Sequence, residues 1–155
     1  MESDNKELQV LNNYLRSVGQ FLTHPRKIIL GIFLKMDRHI SIKDLCLNVK
    51  KVDSQVSMAT VYRTMKLFVL AGIASENEFS DDRKLFEKSY GKEHHDHMFC
   101  TNCKRVAEFH HEPIERLQEE VAREHFFVIN SHRMTFFIRV LVFAPTPPST
   151  KTRHF

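Results

Sequence analysis

Between residues 94 and 103 the chain reads His-His-Asp-His-Met-Phe-Cys-Thr-Asn-Cys, and no other segment constrains the fold as strongly. As a strand this run alternates, sending His94 and Asp96 to one face and His95 and His97 to the other. One segment can then seed two separate metal sites. Each needs donors from elsewhere, and Glu87, Glu108, Glu115, His39 and His132 are available. A solvated histidine run is the plain alternative, although short His/Cys-rich tracts are commonly metal-binding. Three cysteines, two of them in one C-x-x-C unit, make a poor disulfide framework. Beside a histidine cluster that unit suggests metal in a reducing compartment.

The same region divides the chain chemically. Up to Lys92 there are 15 Lys and Arg against 11 Asp and Glu, and from Glu93 onward 8 against 8, so the net +4 lies entirely in the front. Eight of the ten histidines lie in the back. A net +4 alone is weak evidence for nucleic acid, since many basic proteins never touch it. The 155 residues allow one compact domain or two small ones, and 42% hydrophobic content suffices for a core. Division near residue 92 gives a front module over 1–90 and a ligand-rich module over 91–143. Residues 144–155, with three prolines and no periodicity, read as a disordered tail. The longest apolar runs, such as Phe136 to Ala144, are too short for a membrane helix and carry Arg139, and the N-terminus has no basic-then-apolar signal. The expected location is therefore cytoplasmic, without membrane contact.

Within the front module, Leu8, Leu11, Leu15 and Val18 recur at helical spacing before Gly19, which predicts a helix over 4–18. A second helix follows Thr23 and Pro25, with Ile28, Ile29, Ile32 and Phe33 as its buried stripe. Ser41 and Asp44 resemble a capping box opening a short helix that buries Ile42, Leu45, Cys46 and Val49, which makes Cys46 a core residue. Ser57 caps a helix ending at Gly72, with Val61, Met65, Phe68 and Val69 inward. Ile73 to Phe79 and Lys84 to Lys88 alternate around Ser80-Asp81-Asp82-Arg83, a hairpin pattern. Helices followed by a hairpin is the order of a winged helix, whose last helix enters the major groove. A generic helical domain with a hairpin has the same order, and pattern alone does not separate the two. The back module reads as α+β, with strands at His94 to Cys100 and Val106 to Phe109, a helix from Pro113 to Glu124, and extended segments at Phe126 to Ile129 and His132 to Phe143.

Taken together, Ser57-Met58-Ala59-Thr60-Val61-Tyr62-Arg63-Thr64-Met65, Ala71-Gly72-Ile73, and His94-His95-Asp96-His97 through Cys100 and Cys103 to Glu108-Phe109 resemble the ferric uptake regulator family in order and spacing. The resemblance runs from about Gly19 to Phe137. It implies an α+β chain with an N-terminal winged helix-turn-helix domain followed by a small α/β dimerisation domain. It also implies a homodimeric repressor whose metal-bound form grips palindromic operators in double-stranded DNA. Carried over by position, a regulatory site of His39, Glu87, His95, His97 and Glu108 would hold Fe2+, Mn2+ or Zn2+. Such mixed imidazole and carboxylate ligands do not rank those metals. A second site would use His94, Asp96, Glu115 and His132, with Zn2+ as its candidate ion. Tyr62 and Arg63 match base-contacting positions, while Ser57, Thr60 and Arg26 match phosphate contacts.

Several positions refine the resemblance. The peroxide-sensing branch commonly has Asp where Glu108 stands and Asn where Arg63 stands, and the zinc-sensing branch places a thiolate in the regulatory site. This chain has none of these, which favours the iron-sensing branch. Phe21 stands where many members have a minor-groove lysine, so that contact is not carried over. Cys100 and Cys103 match half of a structural four-cysteine zinc site, but Val140 occupies the place of the third cysteine and no later cysteine exists. Lys104 also replaces a usual glycine. A zinc hydrolase or deaminase fits poorly, because the H-x-E and P-C-x-x-C pair is absent. A metal-buffering protein without DNA affinity is countered by the helix starting at Ser57.

Overall fold

The computed structural model describes residues 3–139 apart from 37, 81, 82 and 93, with side chains from residue 6 except at 80 and 83. The expected tail over 144–155, Val140, and the strand expected beyond residue 139 lie outside the described residues, as do the turn residues Asp81 and Asp82. The chain divides into two compact units between Lys92 and Glu93.

The first unit contains α1 (Ser3–Ser17), α2 (His24–Leu34), α3 (Ile42–Lys50), α4 (Met58–Leu70) and the antiparallel pair β1 (Ala74–Ser80) and β2 (Arg83–Lys88). Side-chain caps set two of the helix starts. Ser41 Oγ accepts from the Asp44 amide at 3.1 Å and Ser57 Oγ from the Thr60 amide at 3.2 Å, each satisfying a donor that the helix cannot. Thr23 stands at the α2 N-cap without a side-chain cap bond, and Pro25 in the first turn loses nothing by lacking an N–H.

Leu11 and Leu15 of α1, Ile29, Leu30 and Phe33 of α2, Leu45, Cys46 and Val49 of α3, and Val61, Met65 and Phe68 of α4 form one core. Thr64 is buried with them on α4, whereas Val69, expected inward, is half-buried, because the helix ends one residue later. Ile28, Ile32 and Ile42 also prove half-buried at the margin of this core. Gly72 has φ +72° and lets the chain leave α4 through paired closing bonds, Gly72 N to Val69 O and Ile73 N to Phe68 O. The wing therefore starts directly from the end of the helix.

The second unit is a three-stranded sheet in the order β4 (Val106–Phe109), β3 (Asp96–Cys100), β5 (Thr135–Ile138), with α5 (Glu112–Glu124) between β4 and β5 in sequence. The central strand β3 runs antiparallel to β4 and parallel to β5. It begins at Asp96, two residues later than its pattern suggests. Phe126 to Ile129, expected to be extended, forms no strand. Instead Phe126 adopts φ +62° and the amide of Phe127 bonds Ala122 O at 2.8 Å, closing α5. Capping of the helix's last carbonyls thus overrides the local strand propensity. Among the described residues, no helix is long and apolar enough to cross a membrane.

Phe68 is fully buried and its ring lies 6.1 Å from that of Phe33. Phe68→Ala should destabilise the first unit by about 3–5 kcal/mol, read as a lower denaturation midpoint in urea, because the surrounding helices cannot fill the cavity. A shift below about 1 kcal/mol would show that α2 and α4 do not depend on this contact.

Candidate metal centres and nucleic-acid interface

In the first unit an isolated bridge joins Ile40 to Phe86 through two backbone bonds of 2.8 Å. That pairing brings the neighbouring residues His39 and Glu87 together, with His39 Nε2 3.4 Å from Glu87 Oε2. Glu87 is only 4% exposed, and its other oxygen accepts from Asn77 Nδ2 at 2.6 Å and Ser75 Oγ at 3.2 Å. Two donors from β1 thus orient the carboxylate and leave Oε2 facing His39, with Lys92 Nζ 3.7 Å away. Asn77 and Ser75 were not anticipated, because their role depends on the strand register that sets Ser75 opposite Glu87.

In the second unit the alternation of β3 extends back through His95 and His94. On one face the rings of His95 and His97 lie 5.1 Å apart and His95 Nε2 is 3.9 Å from Glu108 Oε2. Glu108 stands opposite His97 in the sheet register. On the other face, His94, Asp96, Glu115 and His132 each offer one ligand atom, all within 4.8 Å of one another. His94 Nε2 lies 3.3 Å from Asp96 Oδ1, and His132 Nε2 lies 3.2 Å from Glu115 Oε2.

The residues on this second face fit a metal ion. Asp96 is 1% exposed, yet among the described residues its Oδ2 has no hydrogen-bond partner, and neither Glu115 Oε1 nor His132 Nε2 has one. His132 and Glu115 approach to hydrogen-bond distance without the alignment of a hydrogen bond. Donors about 2 Å from a shared ion stand roughly 3–4 Å from each other, which is the spacing seen. Buried polar atoms left without partners cost roughly 1–3 kcal/mol each, and a shared cation removes that cost.

The cysteine pair is built differently. Cys100 is buried at the end of β3, Cys103 is exposed, and the Cys103 amide donates to Cys100 Sγ at 3.4 Å. Among the described residues no third metal donor groups with the pair. Lys104 takes φ +60° immediately after it, a conformation that costs a side-chain-bearing residue roughly 1–2 kcal/mol and that glycine adopts freely.

Of the residues assigned to DNA, Tyr62 and Arg63 are exposed on one face of α4, Tyr62 at 44%, so ordinary core packing does not account for the tyrosine. Ser57 and Thr60 share a hydroxyl contact of 3.0 Å at the exposed start of that helix. Lys66 lies one turn on, over the Tyr62 ring at 5.5 Å. Its ammonium is held above the ordinary lysine range, first by a hydrogen bond to Glu76, with burial opposing. Arg26 is engaged with the backbone of Phe21 and the side chain of Gln20, so it braces the entry to α2.

A winged helix whose last helix is exposed along one face, followed by a small α/β module bearing imidazole and carboxylate clusters on both faces of one strand, is the architecture shared with a family of metal-responsive regulators. The model of the ferric uptake regulator family matches residues 17–137, and the chain belongs to that family. The ferric uptake regulation protein of Bordetella parapertussis is 40% identical over 124 residues, covering 79% of this chain and 88% of that protein. The ferric uptake regulator Fur of Helicobacter pylori, whose structure is said to reveal three functional metal binding sites, superposes with a TM-score of 0.80 at 25% identity. That match covers 88% of this chain and 91% of the other. The ferric uptake regulator of Francisella tularensis, solved with iron, gives a TM-score of 0.71 at 31% identity over 79% of this chain and 92% of its own.

The cysteine geometry predicts that Cys100→Ser with Cys103→Ser loses no tightly held zinc, since a structural zinc needs four ligands. In the native protein Cys103 should react with a thiol reagent well before the buried Cys100. Elemental analysis with timed thiol counting checks this. One zinc per chain that protects both thiols and disappears in the double variant would overturn it.

Proposed function

We propose that this chain is an Fe2+-responsive transcriptional repressor that binds palindromic operators in the cytoplasm as a metal-loaded homodimer. The observation that carries the reading is the matched pair of donor sets, one in each unit. His39 and Glu87 are held together by the Ile40–Phe86 bridge in the first, and His95, His97 and Glu108 share one sheet face in the second. When bound, the metal would supply a cationic centre for imidazole nitrogens and carboxylate oxygens. Glu87, oriented by Asn77, presents one oxygen, and His39, His95 and His97 bind as neutral imidazoles. The first unit's donors grow from the same core as α4, so fixing them fixes the reader as a body. Glu108, Arg63 and the lack of a thiolate among these donors support iron over the peroxide- and zinc-sensing alternatives, as does the iron carried by the Francisella relative.

Operator recognition is assigned to the exposed face of α4, with Arg63 reading guanine edges, Tyr62 packing on thymine methyls, and Ser57 and Thr60 meeting phosphates. Arg26 fixes the preceding loop and reaches phosphate from there. Dimerisation is supported by the apolar surface of the second unit. Leu117 and Val121 of α5, Val128, and Phe136 of β5 are all exposed, and α5 buries no residue in the single chain. Exposed apolar side chains in this number are expected to be covered by a partner.

Arg63→Ala should weaken operator binding by roughly 1–3 kcal/mol per half-site and relax base preference, measured by fluorescence anisotropy at several salt concentrations. Unchanged affinity would remove α4 from the interface. His39→Ala, His95→Ala and His97→Ala should each abolish metal-triggered DNA binding while leaving the apo-protein folded by circular dichroism. Metal-dependent footprinting that matches wild type in these variants would remove the regulatory assignment, and tighter response to Mn2+ or Zn2+ than to Fe2+ would reassign the metal.

A further inference from the structure

We propose that His110 is a further ligand of the site formed by His94, Asp96, Glu115 and His132, bringing it to three imidazoles and two carboxylates. The inference rests on reading that cluster as a metal site. His110 is the first residue beyond β4, whose last residue, Phe109, pairs with Asp96. Continued strand alternation would place His110 with Glu108, on the face of His95 and His97. The chain does not continue as a strand. His111 becomes the N-cap of α5 and Glu115 falls in its first turn. That turn brings His110 Nδ1 to 3.9 Å from Glu115 Oε1, the same oxygen that lies 3.8 Å from His94 Nε2. His132 approaches the other oxygen of this carboxylate.

Glu115 Oε1 is enclosed yet has no hydrogen-bond partner among the described residues, so His110 does not donate to it. A separation of 3.9 Å is too long for such a bond; His110 stands outside the four residues whose donor atoms all lie within 4.8 Å of one another, so joining them on one ion takes a turn of its exposed side chain toward Glu115. Asp96, buried and with Oδ2 unpartnered, marks the inner side of the site, whereas His94 and His110, the latter 51% exposed, line its outer side. An imidazole on the outer side occupies a position that water would otherwise take. A donor set with three imidazoles suits Zn2+ and Co2+ better than a carboxylate-dominated one.

The test uses the full chain. Zn2+ is titrated in competition with a chromophoric chelator, and Co2+ is added to record ligand-field absorption, for wild type, His110→Ala, His110→Gln, His111→Ala, and Asp96→Asn with His132→Ala. The double variant should lose one Zn2+ equivalent. Both His110 variants should keep that equivalent but hold it about 10- to 100-fold more weakly, with a changed Co2+ spectrum and an unchanged apo-protein melting midpoint. His111→Ala, adjacent but outside the site, should match wild type. If the double variant loses an equivalent while both His110 variants match wild type in affinity and spectrum, His110 is not a ligand and the four-residue site stands. If the double variant loses no metal, the site itself is wrong and the proposal falls with it.

Discussion

The pairing of β3 between β4 and β5 is the constraint on which the metal chemistry of the second unit depends. A strand hydrogen-bonded on both edges has no freedom to rotate, so alternate side chains are committed to opposite faces. Asp96 and His97 are both buried, one on each side of the same backbone. An ionisable group in that position is costly without a compensating partner. Donor clusters on the two faces supply such partners, and bound metal supplies a stronger one. A metal ion held there only in the folded state would stabilise this unit by mass action.

The first unit holds the His39–Glu87 pair and the exposed helix α4 on one core. The Ile40–Phe86 bridge fixes His39 beside Glu87, and the wing strand β1 turns the carboxylate through Asn77 and Ser75. Val61, Thr64, Met65 and Phe68 anchor the opposite side of α4, which frees Tyr62 and Arg63 to face outward. Gly72 joins the two parts with a turn that a side-chain-bearing residue would adopt only with strain. A close-packed core has low compressibility, so the pair and the helix are held in one fixed relation.

The C-x-x-C turn has a geometry of its own. Its amide-to-sulfur bond and the left-handed residue after it are the local geometry of a two-thiolate clasp. Lys104 meets that conformation with a side chain, its ammonium 5.8 Å from the Phe99 ring centre. A modest cation–π attraction there offsets part of the conformational cost.

Much of this protein was determined by the sequence alone. Helical spacing located α1 to α4, because their apolar positions recur with period 3.6 and the starts of α2, α3 and α4 carry Pro25, Ser41 and Ser57. Period two assigned His94 and Asp96 against His95 and His97, since alternation is a local property of extended backbone. Tertiary structure decided the rest. Phe126 to Ile129 has strand composition, but closing α5 required Phe126 to turn left-handed, and helix capping outweighed propensity. Asn77 and Ser75 became supports of Glu87 only through the register of β1 on β2, which no single segment encodes. His110 left the face its parity assigns because α5 begins at Glu112 and the chain turns there. Local periodicity is written in neighbouring residues, whereas register, closure and convergence depend on the partners that each backbone group finds across the fold.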